Sequence, residues 1–102
     1  MPPAVAEVRL RAAADADLAS ILEFSVARFG EEVGEAYLRS FEQAFDLLRR
    51  HPMAGALRLE IDPPIRCLPH RSHRIFYDME GDIVWIVRVL HHAMDAEGRL
   101  GE

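Results

Sequence analysis

The residues of this chain best suited to chemistry stand together near its C-terminal end. Residues 88–95 read Arg-Val-Leu-His-His-Ala-Met-Asp, placing Arg88, His91, His92, Met94 and Asp95 at the close of an apolar run. Histidine titrates nearest neutrality, so adjacent histidines raise metal binding or acid–base work. Consecutive residues of an extended chain point to opposite faces, which keeps His91 and His92 from readily sharing one ion. A site built from His70, His73 and one of them is conceivable across neighbouring strands, but no carboxylate is clustered nearby in sequence. Neither a metal nor a cofactor is expected. The more natural arrangement packs one of the pair inside and leaves the other exposed. Met94 suits a gap-filling anchor, and Asp95 either a cap or a contact.

A second group precedes it. Residues 65–77 carry Arg66, Arg71 and Arg74 with His70 and His73, and no acidic residue. On adjacent strands these arginines could share one anion. Cys67 is the single cysteine, which excludes an intrachain disulfide and a thiolate zinc cluster; it reads as a small core hydrophobe. All 12 cations are arginine. No lysine is present to act as a base, a Schiff-base amine or a phosphate clamp.

Elements must position these groups. Val8 and Leu10 alternate with charged neighbours over 7–11, the period-2 mark of a half-buried strand. From Ala14 the spacing turns helical, with Leu18, Ile21/Leu22, Ser25 and Phe29 on one face and Asp15 and Asp17 favouring the helix dipole. Gly30 ends that helix. Glu31 and Glu32 open a second, whose buried stripe is Tyr37, Phe41, Ala44/Phe45 and Leu48; His51-Pro52 stops it. The link is so short that the helices must fold back as a hairpin. After a connector over 53–64, strands are expected at 65–69, 73–79 and 83–90, joined by short turns. The expected fold is therefore α+β, β-α-α-β-β-β, with the helical hairpin packed on one face of a small, mainly antiparallel sheet.

Strict alternation in the last strand puts Ile83, Trp85, Val87 and Val89 on one face and Val84, Ile86, Arg88 and Leu90 on the other. Both faces are apolar, which marks a central strand. The helices cover one face; the incompletely covered other is where a partner or a second copy would bind. Arg88 in such a strand needs a partner, either an acidic neighbour such as Asp78 or a group on a bound molecule. Phe76 and Trp85 read as core, whereas Tyr77 suits core and open groove equally.

The 102 residues are expected to form one domain over 1–102, half hydrophobic by composition and too well supplied with core to be disordered. The net charge of −5 argues against generic nucleic-acid binding. It is unevenly spread: residues 15–46 hold eight acidic groups against two arginines. That surface reads as solvated. The apolar run from Ile83 to Leu90 is too short to span a bilayer, and no basic-then-apolar leader is seen, so a cytoplasmic location is expected. Pro2, Pro3 and Ala4 read as a short frayed end.

Across residues 7–100 the chain resembles the RelE/ParE toxin superfamily, its ParE branch more than its RelE branch. The matching words are Asp17-Leu18, Ile21-Leu22, Phe24 and Phe29-Gly30; Tyr37, Phe41, Ala44-Phe45, Leu48, Pro52 and Gly55; Ile65-Arg66-Cys67; residues 72–78; and residues 86–100. The last two are the most specific. The resemblance implies a bacterial type II toxin, not an enzyme, that poisons DNA gyrase. It also implies neutralisation by a ParD-like antitoxin in a hetero-oligomeric complex. By that resemblance Arg88, His91, His92, Met94 and Asp95 are expected to contact the target. Arg66, Arg74, Tyr77, Val84, Ile86 and Arg88 are expected to meet the antitoxin. The RelE branch implies instead a ribosome-dependent mRNA interferase. Arg74 falls where such enzymes carry arginine, but the absent lysines, and the absence of any tyrosine after Tyr77, weigh against it.

Overall fold

The computed structural model describes residues 5–100, so the expectation for residues 2–4 lies outside the described residues. Strand β1 (Glu7–Leu10) leads into helix α1 (Ala12–Phe29) and helix α2 (Glu31–Arg50), followed by strands β2 (Ala56–Arg58), β3 (Ile65–His70), β4 (His73–Glu80) and β5 (Ile83–His91), then helix α3 (Ala96–Leu100). The sheet order is β1-β5-β4-β3-β2. β1 runs parallel to β5, and every other neighbouring pair is antiparallel. This is the expected α+β arrangement with two additions, β2 and α3. β2 spans only Ala56-Leu57-Arg58, with no alternation to announce it. α3 is too short for a helical stripe to show.

Gly30, with φ of 91°, makes the turn between the helices, and its N–H donates to the Val26 carbonyl. The helices cross tightly: a Cβ on Gly34 would stand 2.7 Å from Val26, so only glycine allows the approach. On α2 the buried stripe is Phe41, Ala44, Phe45 and Leu48, as the spacing predicts. On α1 it is Ala14, Ile21 and Ser25, while Phe29 and Leu22 face outward. Phe29 ends its helix at the hairpin tip, beyond the sheet that would cover it. These helical residues pack with Ile75, Tyr77, Val84, Ile86 and Val89 into the main core. Each fully buried aromatic or leucine side chain contributes about 1.5–3 kcal/mol by removal from water.

The other face carries a smaller core of Ile61, Ile65, Cys67, Phe76, Leu90 and Ala96. The open sheet face expected from the sequence is thus covered in part, by the loop before β3 and by α3.

Strict alternation fails in β5. Phe76 pairs with Arg88 but Tyr77 pairs with Ile86, so Val87 is the extra residue of a β-bulge. Val84 and Ile86 face the helices before the bulge, and Val89 and His91 face them after it. A bulge shifts the period-2 pattern by one residue, which moves Val89 into the main core and leaves Arg88 and Leu90 on the opposite side.

Candidate functional site

β1 ends where Leu10 pairs with Ile86, and the Arg11 N–H makes the last bond to the Ile86 carbonyl at 2.9 Å. Beyond that point β5 has an open edge. Asp17 on α1 fills the gap. Its Oδ2 accepts the Val89 N–H at 2.9 Å and the Arg88 Nε at 2.8 Å, while Oδ1 accepts Arg88 Nη2 at 2.9 Å. The carboxylate takes the place of a missing strand neighbour, which an unpaired backbone N–H requires. Arg88 and Asp17 keep only 13% and 15% of their side-chain exposure. The expected partner of Arg88, Asp78, instead lies across from Trp85 and lines a different groove. There burial raises the Asp78 carboxyl above its usual pKa, against the opposing pull of Arg11.

Arg88 also donates from Nη1 to the Arg99 carbonyl at 2.9 Å, and Arg74 from Nη2 to the Met94 carbonyl at 2.8 Å. Two strand arginines therefore hold the segment that follows β5. Arg74 and Arg66 do not share an anion. Arg66 pairs with Tyr77 on the helix-facing side and donates to the Gly55 carbonyl, whereas Arg74 pairs with Leu90 on the other. One residue of alternation separates a patch from two unrelated cations.

Along the open edge of β5 runs a groove of about 540 Å³. Ser20, Ile21 and Phe24 of α1 form one wall; His91, Ala93 and Met94 form the other; Asp17 and Arg88 lie between, beside His73. Its surface is mostly apolar. Of the residues expected to meet a target, the groove gathers Arg88, His91 and Met94, while His92 stacks on His91 just behind them. Asp95 faces α3, its Oδ2 3.1 Å from where a Cβ on Gly98 would stand and its carbonyl accepting the Arg99 N–H. His91 and His92 do not point apart: their rings lie 4.3 Å from centre to centre, because β5 ends at His91 and the turn carries His92 back.

Four of the five histidines meet at this end of the sheet. His70 pairs with His73, and His73 with His91, side by side on the helix-facing side. Tyr37 Oη lies 2.6 Å from His73 Nδ1, and Ser40 Oγ 2.8 Å from His70 Nε2. Because the Ser40 hydroxyl donates to the Tyr37 carbonyl, it accepts from His70. Burial, then the neighbouring His91, His70 and His92, pushes the His73 pKa down to about 4, so its ring is neutral. Among the described residues no three His, Cys, Asp or Glu side chains are grouped to hold a metal ion.

Tyr77, Val84 and Ile86, expected on an antitoxin-binding face, are each 0% exposed beneath the helices. Tyr77 Oη donates to the Pro52 carbonyl and accepts the Gly55 N–H, so the hydroxyl is fully used inside. A Cβ on Gly55 would stand 2.6 Å from that ring. Sequence reasoning missed Asp17 and Phe24. The signal was there: Asp17, Ile21 and Phe24 fall at i, i+4 and i+7, so a carboxylate shares a stripe with two hydrophobes.

A family model described as "ParE toxin of type II toxin-antitoxin system, parDE" matches residues 8–96. "Toxin ParE1" of Mycobacterium tuberculosis is 37% identical over 92 residues, covering 89% of this chain and 94% of the relative. "Toxin ParE1" of Caulobacter vibrioides is 34% identical over 93 residues, covering 91% and 96%. The solved structure "Chromosomal ParDE TA system from P. aeruginosa" shares the fold with a TM-score of 0.75 at 20% identity, over 87% of this chain and 98% of that one. With its helical hairpin, its mixed sheet and this coverage, the chain belongs to the family of ParE toxins of type II toxin–antitoxin systems.

Proposed function

We propose that this toxin poisons DNA gyrase without acting as an enzyme, and that a ParD-like antitoxin holds it inactive. The observation that carries the reading is the groove at the end of β5, which collects Arg88, His91 and Met94 in a mostly apolar lining. We assign target contact to that end of the molecule, with His92 and Asp95 flanking it. The groove offers contact surface rather than a reaction centre. Arg74 projects from one side of the sheet, and His73 and His91 from the other, so cation and imidazole do not converge on one phosphate. The His73 ring is also tied to Tyr37, and the His91 ring to the Ala93 N–H. These arrangements favour binding over RNA cleavage, which needs acid, base and cation around one bond.

The antitoxin is assigned to apolar surface that the fold leaves bare. Phe24, Phe29 and Val33 on the helical hairpin are 62%, 58% and 56% exposed. Arg66 and Arg74, both partly exposed, are retained as its charged contacts; Tyr77, Val84 and Ile86 are withdrawn because they have no surface to offer.

The test incubates purified chain with gyrase, ATP and plasmid. Inhibited supercoiling together with trapped, protease-released cleaved DNA is the expected result. No effect from demonstrably folded protein would overturn the gyrase assignment and turn attention to translating ribosomes. For the antitoxin, Phe29→Ser with Val33→Ser should weaken binding of a ParD-like partner at least ten-fold while the chain stays folded; unchanged affinity would remove the hairpin surface from the account.

A further inference from the structure

A second groove, of about 470 Å³, lies on the sheet face turned away from the helical hairpin, between the loop before β3 and α3. Its apolar lining includes Ile61 and Ile65 of the smaller core and Leu100 of α3. Val87 completes it. That residue is the extra one of the β5 bulge, so the irregularity that resets the strand also turns a side chain into this groove.

The charges around it are one-sided. Among the described residues the lining carries Glu60, Asp62, Asp78 and Glu97 and no cation. Glu60 is answered by Arg58, whose Nε donates to both carboxylate oxygens. Among the described residues no ion pair answers Asp62, Asp78 or Glu97. Arg11, which pulls on Asp78, is itself bonded to Glu80 and stacked 4.0 Å from the centre of the Trp85 ring. Asp78 is therefore partly stripped of water beside apolar surface with no cation closed upon it, an arrangement that favours one arriving from outside.

The groove's chemistry narrows the occupant. No three of these carboxylates are grouped to hold a metal ion. Nucleic acids and anionic membrane surfaces carry the wrong sign. A second copy would bring its own net charge of −5 against the same carboxylates. An arginine side chain matches both halves of the lining: its weakly hydrated, planar guanidinium pairs with carboxylates, and its methylene stem lies along apolar surface. We propose that this groove docks an arginine-bearing peptide segment of a partner protein, the guanidinium received among Asp62, Asp78 and Glu97 and the stem laid along Ile61, Val87 and Leu100. The site goes beyond the gyrase reading and is separate from the groove at the end of β5, with which it shares no lining residue.

Titration of the purified chain with the acetylated, amidated peptide Leu-Arg-Leu-Arg-Leu, followed by amide chemical shifts, tests the site. Saturable shifts are expected at Ile65, Val87 and Leu100, with none at Ile21 or Met94 in the other groove. A peptide with citrulline in place of arginine keeps the shape without the charge and should bind at least ten-fold more weakly. Asp78→Asn alters an exposed side chain of β4 and should weaken the arginine peptide at least five-fold. Glu23→Gln, an equal change of net charge at an exposed position of α1, should leave its affinity unchanged. Absent shifts, equal binding of the citrulline peptide, or an equal loss in Glu23→Gln overturns the proposal. So does spermidine binding as tightly as the peptide, which would make any diffuse cation sufficient. Shifts at the same amides on diluting the chain alone would put a second copy in the groove and overturn it equally. Should Asp78→Asn fail to fold, the citrulline comparison on the wild-type chain decides.

Discussion

The two faces of the sheet are held by different physics. Beneath the helices, Phe41, Phe45, Leu48, Ile75, Val84 and Ile86 form a closed apolar core, with the Tyr77 hydroxyl satisfied by backbone at Pro52 and Gly55. On the other face Phe76, Leu90 and Cys67 meet a five-residue helix and a loop, with the chain after β5 pinned through the arginine bonds to the Met94 and Arg99 carbonyls. The first kind of packing is apolar and answers to pH only at its edge, where burial lowers the pKa of His70 and His73. The second depends on a few charged hydrogen bonds. Buried apolar surface holds one face, and charged hydrogen bonds pin the other.

The largest way to break this contrast is Phe41→Ala, since Phe41 is 1% exposed and touches both Tyr37 and Phe45. A loss of about 3–5 kcal/mol is expected in chemical denaturation, a large share of the roughly 5–15 kcal/mol that domains possess. A loss below ~1 kcal/mol would mean that this face is not the stabilising one.

Arg88→Ala comes next. It strands the Asp17 carboxylate in a nearly closed site and frees the Arg99 carbonyl, at an expected loss of about 3 kcal/mol, the lower end of what breaking a buried pair costs. Asp17→Asn combined with Arg88→Met should recover more than half of that loss in the same assay. A double variant no more stable than Arg88→Ala would show that the pair itself, and not the stranded charge, sets the energy.

The smallest effect is pH dependence, and it sharpens the comparison. The fold lowers the pKa of His73 from 6.5 to about 4, chiefly through burial, and lowers that of His70 for the same reason. The unfolded chain therefore binds more protons between those values, so stability is fully present above about pH 6.5 and falls as the pH drops toward 4. Denaturation midpoints at pH 7.5 and 5.5, above most carboxylate titration, should show the lower stability at 5.5, with a smaller difference in His73→Asn. A midpoint that is flat or rises on acidification would contradict the burial of this ring.

Particular residues show how much was legible. The α2 stripe from Phe41 to Leu48 could be read directly, because helical spacing and burial coincide there. So could β3, β4 and β5, whose observed ends lie within one residue of those expected. The candidate site was legible only in its C-terminal half. Arg88, His91 and Met94 were named; the opposite wall, Phe24 and Ser20, was not, because it comes from a helix some 70 positions earlier in the chain. Arg66 and Arg74 read as neighbours and are not, since they leave the sheet on opposite sides.

Composition and local pattern by themselves determined the α+β class, the hairpin of helices, the meander that follows, and a chemical inventory with no lysine and a single thiol. Those properties are short-range: they follow from periodicity, turn residues and the chemical inventory of the chain. Tertiary structure decided the rest. A bulge at Val87 reset which side chains face the helices, the end of β1 left an edge that Asp17 completes, and a turn after His91 folded His92 back on its neighbour. Each depends on where one strand stops relative to another, and no local spacing encodes that register.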